Sequence, residues 1–324
     1  MSAYSKAGLV MALVAGSVLA AVQPVLSQDA FKTFRQLDST AKMPKLNAFS
    51  PALGTASPVA RDVKIQAKLT PDGPPMKTGL SWRVFSPDPG PDGKLPLVAS
   101  AEGGDANFQL APGSYFVNVA FGRAGVTKRL NVPASGDVPA ELLVLDAGGI
   151  VLSAVAGEDH RVPAAKLKFS IYSTEVREDG ERPLVMADVK PNTIVRLNAG
   201  SYHIVSEYGD VNASVRADVQ VEAGKLTEAT LQHHAAQVSF KLVSQLGGEA
   251  VADTAWSVLT AGGDVVAESV SAFTSMVLTE GDYTVVARNK EKIYQKDFNV
   301  ESGKDVDVEV LMKEQQAISV NDTE

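Results

Sequence analysis

The chain has 324 residues, 45% of them apolar and 6% aromatic, with a formal net charge of −8 and no cysteine. Without thiols there are no disulfide staples, thiolate nucleophiles or cysteine-ligated zinc, so each compact unit must be held by its own core. The acidic balance is the opposite of a phosphate-binding footprint, and no nucleic-acid partner is expected.

Residues 1–27 form a segment apart. Lys6 precedes an uncharged, mostly apolar run from Ala7 to Val22, and Val25-Leu26-Ser27 stands just before Gln28-Asp29. This is the pattern of a bacterial secretory signal cleaved after Ser27, and it predicts a periplasmic or secreted protein. The apolar run is shorter than the roughly 20 residues that span a bilayer comfortably. An uncleaved inner-membrane anchor is the alternative, and only then would a membrane be a partner. With no cysteine after the run, a lipoprotein anchor is excluded. Residues 28–60 carry no period and mix Pro, Ser, Thr and Ala, which predicts a disordered tether with a short helical turn near Phe31 to Leu37.

From residue 61 the chain repeats itself. LAPGSYFV at Leu110 to Val117, LNAGSYHI at Leu197 to Ile204 and LTEGDYTV at Leu278 to Val285 each read Leu-x-x-Gly-x-Tyr followed by apolar alternation. That is a strand end, a tight corner and a new strand. Trp82, Phe169 and Trp256 precede the corner glycines Gly113, Gly200 and Gly281 by 31, 31 and 25 residues, and Gly136, Gly224 and Gly303 follow them by 23, 24 and 22. Such spacing marks one β module written three times, over 61–146, 147–234 and 235–312, with 313–324 as a disordered acidic tail. In the first module the predicted strands are 63–69, 80–86, 96–101, 106–110, 115–121, 126–132 and 140–146. The length difference falls in one hairpin, where TAGGDVVAES replaces the longer SPDPGPDGKLPLVAS and STEVREDGERPLVMA.

Seven short strands with an early aromatic and this corner resemble an immunoglobulin-like or transthyretin-like sandwich. The resemblance implies an all-β fold of three tandem seven-stranded Greek-key modules. It also implies a structural role for Gly113, Tyr115, Gly200, Tyr202, Gly281 and Tyr283, each tyrosine donating its hydroxyl to upstream backbone. Trp82, Phe169 and Trp256 would be the core aromatics. The stretch from Thr254 to Val310 is similar to the carboxypeptidase-regulatory-like or prealbumin-like repeats found in tandem in bacterial envelope proteins. That similarity implies spacer, adhesion or docking duties.

Candidate chemistry is sparse. The adjacent pair His233-His234 would point to opposite faces of a strand and so not share a metal; its position between the second and third modules reads as a solvated linker. His203 is expected to face away from the core. Asp72, Asp92 and Asp179 precede glycines as turn residues, without the acidic ladder of a calcium loop. No Gly-x-Ser-x-Gly elbow, phosphate loop or dinucleotide fingerprint occurs, so no catalytic residue, cofactor or metal is assigned. Net charge runs +2 over 28–60, 0, −3 and −6 over the three modules, and −2 in the tail. On the most acidic module, Arg288, Lys290 and Lys292 with Lys296 beyond form a basic loop, equivalent to Phe121-Gly122-Arg123 and Tyr208-Gly209-Asp210 in the others. It is the candidate interaction loop for an envelope protein or an anionic envelope polymer. The expected function is that of an exported, noncatalytic envelope scaffold or binding protein. The alternative is a carbohydrate-binding or accessory module of a separate envelope enzyme.

Overall fold

The computed structural model describes residues 59–158 and 160–313; the expected signal, tether and tail lie outside them, apart from Val59, Ala60 and Lys313. The first repeat comprises β1 (Arg61–Lys68), β2 (Leu80–Phe85), β3 (Leu97–Gly103), β4 (Ala106–Leu110), β5 (Gly113–Phe121), β6 (Ala124–Val132) and β7 (Glu141–Val144). The second comprises β8 (Ala147–Ala156), a two-residue β9 (His160–Arg161), β10 (Leu167–Ser173), β11 (Leu184–Val189), β12 (Ile194–Asn198), β13 (Gly200–Tyr208), β14 (Ser214–Val221) and β15 (Leu226–His233). The third comprises β16 (Ala235–Val243), β17 (Thr254–Thr260), β18 (Val265–Val270), β19 (Phe273–Thr279), β20 (Gly281–Asn289), β21 (Lys292–Val300) and β22 (Val306–Leu311). Among the described residues the only helical element is a single 3-10 turn at Ala164–Lys166.

Each repeat is a sandwich of two sheets. In the first, β4-β1-β7 opposes β3-β2-β5-β6; the second repeats this as β12-β8-β15 and β11-β10-β13-β14, the third as β19-β16-β22 and β18-β17-β20-β21. The first strand always pairs antiparallel with the strand just before the corner glycine (β4, β12 and β19) and parallel with the last, as Ile65 does with Ala106 and Glu141. This order departs from the immunoglobulin constant domain, where the first two strands share a sheet. Alternation explains the placement: Val63, Ile65 and Ala67 of β1 face the core while Asp62 and Lys64 face water.

Trp82, Phe169 and Trp256 are buried at the centre of the three cores. Both indoles donate from Nε1 across the fold, Trp82 to Gly104 O at 2.7 Å and Trp256 to Ser271 O at 2.8 Å. Phe169 has no donor to satisfy. Two residues after each aromatic the pairing with the edge strand slips, at Val84/Phe85, Ile171/Tyr172 and Val258/Leu259. A bulge there twists the edge and discourages pairing with other chains. The long hairpin tip Asp88–Pro96 is closed by Gly90 N donating to Lys94 O and by Lys94 N donating to Asp92 Oδ1.

Candidate functional site

The corner recurs with the same bond three times. Tyr115, Tyr202 and Tyr283 donate their hydroxyls to the carbonyls of Ala111, Asn198 and Thr279, at 2.9, 2.9 and 3.1 Å. The corner glycines adopt φ of 155°, 149° and 146°, backbone that a β-carbon disfavours. Burial holds the Tyr202 phenol above its ordinary pKa, so it is a neutral donor.

At Tyr283 the corner also meets the preceding repeat. Asn212, in the β13–β14 loop, donates from Nδ2 to the Tyr283 hydroxyl at 3.1 Å and accepts the Thr279 N–H at 3.0 Å. The junction between the first and second repeats has a mirrored clasp. Asn198 of the second repeat accepts the Gly125 N–H at 3.1 Å and donates to Leu145 O at 2.7 Å. Around both clasps the backbone bonds correspond. Ala199 N donates to Asp146 O and Glu280 N to His234 O; Gly224 N donates to Ala147 O and Gly303 N to Ala235 O.

The connections themselves are buried. Leu145 and Ala147 are 1% and 0% exposed, and His233 and Ala235 are each 1% exposed. The pair His233-His234 is not a solvated linker: β15 runs almost directly into β16, so His233 takes the inward place that Leu145 takes one repeat earlier. Its Nε2 shares a 2.8 Å hydrogen bond with Ser206 Oγ, and its ring stands edge-on to Tyr208 at 5.8 Å. Burial, with a smaller effect from neighbouring His234, lowers its pKa to about 4. His234 points the other way, exposed beside Glu280. His203 pairs with Asp218 at 2.7 Å on the sheet face.

The loops equivalent to the basic one are occupied. The β5–β6 turn at Phe121-Gly122-Arg123 packs on β12: Arg123 N donates to Arg196 O at 3.0 Å, and the Arg196 guanidinium lies 4.5 Å from the Phe121 ring centre. The β13–β14 loop packs on β19, with Val277 joining the core of the second repeat. The β20–β21 turn differs, since Arg288, Lys290 and Lys292 are exposed at its end. Asn289 beneath them is buried and fastened to Ala252 O and Asp253 O at 2.7 and 3.2 Å. Lys296 does not join this group. It sits opposite Val285 within β21, about 14 Å along the strand from Lys292, and donates to Glu309 O at 3.0 Å. Asp92 and Asp179 cap their own turns through the N–H groups of Lys94 and Glu181.

Residues 237–312 match a family described as the Rhizobiales growth-associated tandem repeat domain, which covers the third repeat and less than half of the chain. A comparison with curated proteins gave no match. Among solved structures, the Bacillus anthracis TIE protein is 16% identical over 78% of this chain and 51% of its own, with a TM-score of 0.22, so this chain spans about half its length. The minor pilin GBS52 of Streptococcus agalactiae is 14% identical over 53% of this chain and 95% of its own, with a TM-score of 0.30. The major pilin subunit BcpA of Bacillus cereus is 9% identical over 78% and 100%, with a TM-score of 0.23. At these scores the structural likenesses carry no argument about this chain.

Proposed function

We propose that the chain is an exported, noncatalytic envelope scaffold or binding protein, whose three sandwiches present the β20–β21 turn to an envelope protein or an anionic envelope polymer. The observation that carries this is the contrast between equivalent turns: two are consumed in repeat-to-repeat packing, while the third holds Arg288 and Lys290 exposed at its end. Exposed cations on an otherwise acidic repeat favour anionic partners at the encounter stage. The strand order supports the transthyretin- or prealbumin-like side of the resemblance over the immunoglobulin one, and residues 61–146, 147–234 and 235–312 are proposed as its folding units. Export through a signal cleaved after Ser27 is part of the same reading.

Capture from envelope and cell-wall fractions, using the mature chain and the triple variant Arg288→Ala, Lys290→Ala, Lys292→Ala, tests the function. A salt-sensitive partner held by the parent and lost by the variant is expected. Equal capture by both would remove the turn from the proposal. Mass spectrometry of the native protein should find Gln28 as its amino terminus; an intact Met1 or Ser2 terminus would establish the anchored form instead.

A further inference from the structure

Nine residues after the corner glycines Gly113, Gly200 and Gly281 stand Gly122, Gly209 and Lys290. All three occupy the left-handed region, with φ of 66°, 73° and 55°. At both glycines the next repeat packs close against the turn. A Cβ at Gly122 would lie 3.0 Å from Arg196 Cβ, and one at Gly209 would lie 2.8 Å from Val277 Cβ. A side chain at 209 would overlap Val277, and one at 122 would force Arg196 to give way, so both turns favour a following repeat when these positions lack a side chain.

We infer that this turn is the docking plug of the array, that glycine in it licenses the next repeat, and that Lys290 closes the end of the third repeat to another of its kind. The closure applies to a repeat in the same chain and to one in a second copy. Lys290 keeps the backbone conformation of the glycines, which a lysine adopts against its steric preference, and adds the β-carbon and charged stem that the interface has no room for. Glu291 follows it and Arg288 precedes it, so seating a repeat here would also strip water from exposed charges.

The opposite side of each junction confirms that glycines mark these contacts. Gly224 meets Thr70 Cγ2, where a Cβ would lie 2.9 Å away, and Gly303 meets Ala156 O, where it would lie 2.7 Å away. The first repeat keeps a glycine at the corresponding Gly136, which among the described residues has nothing within 4 Å of a Cβ position. The two ends therefore differ: one retains the junction glycine and the other has replaced it. A polar terminal face is how repeat arrays stop. This inference does not depend on which partner the exposed cations take.

Two chains test it. In the natural chain, Gly209→Lys should open the junction between the second and third repeats, accelerating thermolysin cleavage near Ala235 at least tenfold while both fragments stay folded by circular dichroism. Gly180→Lys is the control for backbone strain alone, since Gly180 has φ of 81° and nothing near it; cleavage near Ala235 should be unchanged. In a four-repeat chain, a second copy of residues 235–324 follows Lys313, placing Met312-Lys313 where His233-His234 stand. Its new junction should be cleaved at least tenfold faster than the one at Ala235, and Lys290→Gly should slow that cleavage at least tenfold. A new junction already protected with Lys290 in place, no protection by Lys290→Gly, or an intact junction in Gly209→Lys would each overturn the inference.

Discussion

The Nδ2 of Asn212 stands 3.1 Å from the hydroxyl oxygen of Tyr283, and the two residues belong to different repeats. That hydroxyl donates to Thr279 O and also contacts Thr279 Oγ1 at 2.8 Å, whereas among the described residues Tyr115 bonds only its own corner, at Ala111 O. One phenol thus closes a corner and joins two cores.

Removing the Tyr283 hydroxyl alone, in Tyr283→Phe, should cost about 1–3 kcal/mol because buried partners are left unpaired. Tyr283→Ala also removes the ring packed on Phe298 and should cost about 3–5 kcal/mol. Tyr115→Phe should cost less than Tyr283→Phe. Denaturant melts of the full chain give this order, and equal losses at the two tyrosines would show that Asn212 adds nothing.

A double-mutant cycle isolates the bond between repeats. Asn212→Ala and Tyr283→Phe should be non-additive, with a coupling on the order of 0.5–3 kcal/mol. Additive losses would mean that the two side chains touch without stabilising each other.

Acid should loosen the second junction. His233 is buried neutral, with its pKa lowered from 6.5 to about 4, so the unfolded chain binds the proton more readily than the folded one. The stabilisation from the neutral ring is complete above about pH 6.5 and drains away as pH falls toward 4. His233→Leu, which restores the residue type found at Leu145, should flatten melting temperature against pH across this window. An unchanged slope would assign the acid sensitivity to other groups.

Arg288→Ala should leave stability within about 0.5 kcal/mol of the parent, since the side chain is exposed at a hairpin end. If Arg288→Ala unfolded the third repeat while Tyr283→Phe melted like the parent, the corner would lose its structural role.

The sequence by itself carried the repeated corner, the core aromatics and most strand positions, because period-2 alternation and a recurring Leu-x-x-Gly-x-Tyr corner are local signals. The 80–85, 106–110 and 124–132 strands of the first repeat lie where alternation put them or within two residues of it. The junctions were decided only in three dimensions. Asn198, Asn212 and His233 look like ordinary polar residues in a turn or linker, and the two asparagines find their partners 73 and 71 residues away in sequence, at Gly125 and Tyr283. Strand order was likewise open, since alternation fixes which face a residue takes but not which strand lies beside it. The same holds for the basic turn: four cations close in sequence suggested one surface, yet a strand's rise carries Lys296 away from the three that share the tip. Spacing along a chain records local geometry, while the partner that fills a face is chosen by packing between segments that sequence leaves far apart.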